Sequence, residues 1–177
     1  METKFIIDTN VPILSGTLAT DIPVDQAMCA RECLRFIKEY ISNPESKIVL
    51  DSSWRVLKEY QKHMGDFNDR DGMYAQFFRW VCIQGAKGLA PEDNVQLHEI
   101  DENCFAEYPT HKGLANFDPP DRKFIALANA HVEHPPIVEG SDSKWWGIYD
   151  ALKECGICVK FLCEDYIKNK FEQKIGP

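Results

Sequence analysis

Four carboxylates stand along this chain where a fold can gather them: Asp8, Glu59, Asp121 and Asp142. Asp8 ends the apolar run Phe5-Ile6-Ile7 and is followed by Thr9 and Asn10. Asp142 closes the stretch "IVEGSD", and Asp121 opens "DRKFIALANA". Glu59 lies within "VLKEY". Acids crowded into one cleft raise one another's pKa unless a cation neutralises them. Hard oxygen donors suit Mg²⁺ or Mn²⁺, as one ion or two, with substrate phosphate completing the shell. Such ions activate water and stabilise charge on phosphoryl oxygens. Each acid also has an ordinary use: Asp8, Asp121 and Asp142 as helix caps or first-turn charges, and Glu59 as a surface partner of Lys62 and His63. Thr9 and Asn10 suit capping and the orienting of Asp8, and Ser141 sits beside Asp142. Arg55, Lys58, Arg122, Lys123 and Lys144 lie close in sequence to the acids and are candidates for phosphate contacts at the rim.

The elements that must position these residues follow from periodicity and punctuation. Residues 4–8 read as a strand and 25–41 as a helix stopped at Asn43-Pro44. "KIVLD" (47–51) repeats the opening pattern, and Ser52-Ser53 reads as the cap of a helix to about residue 64. Helical spacing recurs over 69–84, and 95–100 alternates like a strand. Residues 101–117 are hard to place and read as a helical turn followed by a loop. Asp118-Pro119-Pro120-Asp121 is a helix start, with Asp118 as the cap and the helix running to about 132. A strand over 135–142, a helix over 143–154, a strand over 158–162 and a helix over 163–172 complete the chain. In the helix at 143–154, Trp145 and Trp146 point different ways, one into the core and one partly outward. Alternating strands and helices imply a mostly parallel sheet with helices on both faces, in one domain over 1–177. Such sheets bind ligands beyond the carboxyl ends of their strands.

With its acids in this order, the chain resembles the PIN-domain nucleases. "FIIDTNV", "VLKEY", "DRKFIALANA" and "IVEGSD" carry the resemblance over nearly the full length. It implies a three-layer α/β/α sandwich on a five-stranded parallel sheet. It implies Asp8, Glu59, Asp121 and Asp142 as metal-holding catalytic acids. The implied activity is Mg²⁺- or Mn²⁺-dependent endonucleolytic cleavage, mainly of single-stranded RNA, with water as nucleophile and 5′-phosphate and 3′-hydroxyl ends. Implied partners are an inhibitory antitoxin protein and a second copy of the chain, as for toxin or defence nucleases. There are departures. Gly140 stands where the family often has Thr or Ser, Asp118 competes with Asp121, and the segments 65–94 and 101–120 exceed those of the smallest toxins.

Other readings remain. A PIN-fold module that binds RNA or protein without cutting would keep the fold and lack the metal. A phosphatase of the haloacid dehalogenase kind also begins with a strand ending in Asp. It needs a second acid where this chain has Asn10, which cannot transfer a proton. The net charge of −8 argues against broad electrostatic binding of nucleic acid or an anionic membrane surface. No apolar run is long enough to cross a bilayer, and Glu2 and Asp8 interrupt any signal-peptide pattern, so a cytoplasmic location is expected. The seven cysteines, Cys29, Cys33, Cys82, Cys104, Cys155, Cys158 and Cys163, then read as reduced thiols, mostly buried. Cys155 and Cys158 form a C-x-x-C without a second pair for zinc.

Overall fold

The structure is a computed structural model and describes residues 3–66 and 71–175. The chain opens with β1 (Lys4–Ile7), whose Phe5, Ile6 and Ile7 are buried, and turns at Asp8 into α1 (Asn10–Gly16). A helical turn at 24–26 leads into α2 (Ala27–Ser42). Its buried stripe is Cys29, Cys33, Ile37 and Tyr40, the i, i+3 and i, i+4 spacing of one helix face. The strand expected over 47–51 is broken in two: β2 (Lys47–Ile48) and β3 (Leu50–Asp51), with Val49 between them. Then come α3 (Arg55–His63) and α4 (Met73–Lys87). The expected helix start at Asp69 lies outside the described residues.

The stretch 95–100 is not one strand. It divides between β4 (Asn94–Val95), which pairs with β3, and β5 (Glu99–Asp101), which forms a hairpin with β6 (Cys104–Phe105). The segment without a clear sequence signal, 101–117, thus carries β6 and a helical turn at 112–114. His111 fixes it by bonding Glu154. Helix α5 (Arg122–Ala130) follows a turn at 119–121 and ends two residues short of Val132, which is exposed. Next come β7 (Ile137–Glu139), α6 (Lys144–Gly147), α7 (Tyr149–Glu154), β8 (Val159–Phe161) and α8 (Glu164–Ile175). The expected helix over 143–154 is therefore two, broken at Ile148. Trp145 is buried, and Trp146 is half-buried against Tyr149 and Phe161.

Among the described residues the principal sheet has four parallel strands in the order β2-β1-β7-β8. The β3–β4 pair, also parallel, forms a separate sheet where Val49 interrupts the strand. Helices α1, α2 and α4 pack on one another, while α5 packs on β1 and β7 and against α3. This α/β architecture is compatible with a three-layer sandwich. One feature of the order decides where a site can form. From β1 the chain runs to β2 on one side, and from β7 it runs to β8 on the other. The crevice at the carboxyl ends of β1 and β7 is therefore a topological switch point.

Two caps differ from expectation: Asp118 makes no side-chain cap hydrogen bond at the turn before α5, where Asp121 takes the cap position, and the start of α3 is held otherwise than expected. Ser52 and Ser53 do not cap α3. The Asp51 carboxylate accepts from the backbone N–H of Arg55 and Val56, while Trp54 takes a left-handed conformation (φ 60°) to turn the chain. Asp51 is buried and close enough to reach two orphan donors of the first turn, which the exposed serines do not. The cysteines differ too. Cys29 on α2 and Cys163 just before α8 are joined in a disulfide across 134 residues, with Cys33 as a buried free thiol beside them. The expectation of reduced thiols is thereby corrected for this pair. Packing of α2 against the turn after β8 brings two buried sulfurs together, and periodicity shows nothing of such a long-range contact.

Candidate functional site

The turn out of β1 builds the site. The Asp8 N–H donates to Val138 O at 3.0 Å, and its carbonyl accepts from Val11 N. Asp8 thus belongs to both the sheet and the first turn of α1. Its side chain is buried, at 4 % exposure for the residue. Asp8 Oδ1 accepts two hydrogen bonds from Asn10, from the backbone N–H at 2.9 Å and from Nδ2 at 2.5 Å. Among the described residues Oδ2 has no hydrogen-bond partner.

Asn10 ties the two strand ends together. Its Nδ2 also donates to Glu139 Oε1 at 2.6 Å, and its Oδ1 accepts from the N–H of Gly140 (3.0 Å) and Ser141 (3.2 Å). Ser141 therefore serves through its backbone. Gly140 is required for this closeness: a Cβ there would lie 2.6 Å from Asn10 Oδ1 and 3.1 Å from Cys33 Sγ. The disulfide touches the same turn, with Cys29 Sγ 3.3 Å from Gly140 O. A disulfide sulfur carries no proton, so this is a contact and not a hydrogen bond.

Thr9 occupies the cap position of α1 without capping it; its hydroxyl donates to Glu59 Oε1 at 2.8 Å. Glu59 comes from α3, which is fixed to β1 by its neighbour Tyr60, whose hydroxyl donates to Ile7 O at 2.5 Å. The second oxygen of Glu59 pairs with Lys123 Nζ. Glu59 therefore faces the cleft, bonded to Thr9 and Lys123. Lys123 enters from the first turn of α5 with its side chain 8 % exposed, and it also donates to Pro120 O.

Asp121 and Asp142 complete the group. The charges acting on Asp8 are Asp121, Glu59 and Asp142, so all four expected acids share one environment. Asp142 Oδ1 caps α6 by accepting from Lys144 N at 3.0 Å. The Lys144 ammonium spans the outer rim, 2.5 Å from Asp118, 3.3 Å from Asp142 and 3.7 Å from Asp121. Asp118 thus stands at the rim, holding Lys144, with Asp121 further in. Arg55 and Arg122 point elsewhere. Arg55 pairs with Asp51 and Glu99, and Arg122 donates to the carbonyls of Phe117 and Ala115. Lys58 is exposed on α3.

The electrostatics follow from burial. Desolvation, then the Asp121 charge, raises Asp8 well above the ordinary carboxylate range. Burial raises Asp121 to about 6, with Lys144 and Lys123 opposing and Asp142 and Glu59 adding to the rise. Partial burial works against the Lys144 ammonium, but Asp118, Asp142 and Asp121 outweigh it and raise its pKa.

The structure adds Glu139, the last residue of β7, which was not among the expected acids. It is fully buried, accepts from Asn10 Nδ2 and from Asp142 N (2.9 Å), and leaves Oε2 without a hydrogen-bond partner among the described residues. Burial, then Asp8, raises its pKa strongly. The signal was present in the sequence: an acid within the apolar run "PIVEG", where a buried parallel strand should be wholly apolar.

This donor set is all oxygen, strained by its own charge, and includes a buried carboxylate oxygen lacking a partner. The donor chemistry suits a hard divalent cation, but among the described residues no three of these carboxylates bring their oxygens within 4.8 Å of one another, so an ion would have to draw them together. The cluster of Cys29, Cys33 and Cys163 is a different environment, and its disulfide occupies two of the three sulfurs. Compared with family models, curated proteins and solved structures, the chain finds no match.

Proposed function

We propose that this chain is a divalent-metal-dependent nuclease that hydrolyses RNA phosphodiester bonds, with single-stranded RNA as the substrate. The observation that carries the reading is the convergence of Asp8, Asp121 and Asp142, with Glu59 flanking, at the switch point between β1 and β7. Asp8, Asp121 and Asp142 would hold Mg²⁺ or Mn²⁺, which when bound supplies water activation and charge stabilisation at phosphorus. Asn10 fixes the Asp8 carboxylate through two hydrogen bonds, so its free oxygen keeps one direction. Lys144, with a side chain 46 % exposed, is placed to turn from the acids toward a phosphate oxygen. Lys123 stays fixed by Glu59 and contributes a buried positive charge to the cleft.

With a net charge of −8 the protein repels a polyanion over most of its surface, so substrate affinity depends on the metal and on the local lysines. The biological settings consistent with this activity are the toxin of a toxin–antitoxin pair, held by an inhibitory protein, or a defence nuclease. Action as a homodimer belongs to the same proposal, as does a cytoplasmic location, against which the Cys29–Cys163 disulfide stands, since a reducing compartment disfavours such a bond. Among the described residues no helix is long and apolar enough to cross a membrane.

One observation favours a second reading, a silent RNA- or protein-binding module. Lys123 and Lys144 already pair with Glu59, Asp118 and Asp142, as in a cluster that needs no metal. End-group chemistry separates the two. Labelled RNA and DNA oligonucleotides are incubated with Mn²⁺, Mg²⁺ or EDTA. A nuclease of this kind yields 5′-phosphate and 3′-hydroxyl ends only with metal. Cyclic phosphate ends, or cutting unaffected by EDTA, contradict the proposed chemistry. No cutting together with no Mn²⁺ binding favours the silent module.

A further inference from the structure

We infer that the carboxylate cluster takes one divalent ion and not two, because the ammonium of Lys123, held by Glu59, already stands as the second cation. The inference rests on the metal-dependent reading above and fixes how many ions that site accepts.

The two sides of the cluster are built differently. On the α3 side, both oxygens of Glu59 are engaged, Oε1 by the Thr9 hydroxyl and Oε2 by Lys123 Nζ. Lys123 is nearly buried, and its other partner is the Pro120 carbonyl. A buried ammonium that loses its carboxylate is strongly destabilised. An ion ligated by Glu59 would have to displace Lys123 or lie beside its ammonium, and paired metal ions sit only about 4 Å apart. An ammonium at that spacing repels the second ion.

On the β1–β7 side the donors are open. Asp8 Oδ2 has no hydrogen-bond partner among the described residues, and neither has the buried Glu139 Oε2. Asp121 and Asp142 form ion pairs only with Lys144 among the described residues, at 3.7 and 3.3 Å, beyond the length of a tight charged hydrogen bond, and Asp121 also lies in the field of the Lys123 ammonium. Unlike Lys123, Lys144 has solvent beside it and can move when an ion arrives. One ion between Asp8, Asp121 and Asp142 disturbs no buried pair; a second breaks or crowds one.

The test is calorimetric titration of the chelator-stripped full chain with MnCl₂, with the electron paramagnetic resonance spectrum of bound Mn²⁺ as a second readout. The wild type should bind one equivalent with the spectrum of an isolated ion. Lys123→Ala, which frees Glu59, should bind two, and Lys123→Arg should stay at one. Should Lys123→Ala fail to fold, Glu59→Gln serves: it should keep its one equivalent, since Glu59 is not a ligand. Two equivalents in the wild type with a spin-coupled spectrum would overturn the inference and leave the metal-dependent reading intact. One equivalent in a folded Lys123→Ala, or loss of binding in Glu59→Gln, also overturns it. No binding by the wild type overturns both.

Discussion

At the scale of single residues, Asp8 is a carboxylate kept in a place where carboxylates are unfavourable. Desolvation and three neighbouring acids oppose its charge, and only Asn10 supports it. The pH dependence follows from the sign of these shifts. Asp121 titrates near 6 in the folded chain and at its ordinary lower value when unfolded. Between those values the folded state holds a proton that the unfolded state has released. Stability of the metal-free protein is therefore present on the acid side and lost as pH rises through about 6, by at most about 3 kcal/mol for this group. Asp8 acts in the same direction. Urea midpoints at about pH 5 and about pH 7 should show the fall, and Mn²⁺ should abolish it. A midpoint that rises over this range would contradict the assignment. Asn10 is the complementary test. Asn10→Ala removes the donor shared by Asp8 and Glu139 and should lower stability by about 2 kcal/mol, measured by urea denaturation.

At the scale of elements, the site depends on how closely the ends of β1 and β7 approach. Gly140→Ala should cost about 1–3 kcal/mol, because the new methyl meets Asn10 Oδ1 and Cys33 Sγ. It should weaken Mn²⁺ binding as well, since Asn10 orients Asp8. Unchanged stability and binding would show that the turn yields more easily than its packing suggests. This is also the scale at which the sequence was most and least informative. The strand ending before Asp8 and the start of α5 beside Asp121 were legible, because an apolar run stopped by an acid, and prolines in a first turn, are local signals; the strand read as far as Asp142 instead ends at Glu139, since the acid that stops it lies inside the apolar run. The division of 95–100 between two sheets was not, because its alternation is the same whichever strand it pairs with. Glu59 was legible as an acid but not as the partner of Lys123. That pair joins α3 to α5 across 64 positions, and a helical Glu is more often matched within its own helix.

At the scale of the whole molecule, charge is distributed unevenly along β1. Lys4 at its amino end pairs with Asp93 and Glu133, a closed arrangement, while Asp8 at its carboxyl end lies among acids. The Cys29–Cys163 disulfide closes a loop of 134 residues and fastens the start of α2 to the turn before α8. Its removal in a Cys29→Ala/Cys163→Ala double variant should lower stability by about 2–4 kcal/mol, and a reducing agent should shift the wild-type melting midpoint in the same direction. A midpoint indifferent to both would argue against the bridge. Whether the acid at the end of β1 holds a catalytic metal is decided by comparing wild type with Asp8→Asn for cleavage of single-stranded RNA in Mn²⁺. The substitution keeps the shape and the Asn10 hydrogen bonds while removing the charge. We predict metal-dependent cutting by the wild type that falls at least about 100-fold in the variant, the scale expected for losing one electrostatic group at a reacting centre. Equal cutting by both proteins, or none by either, would contradict the account.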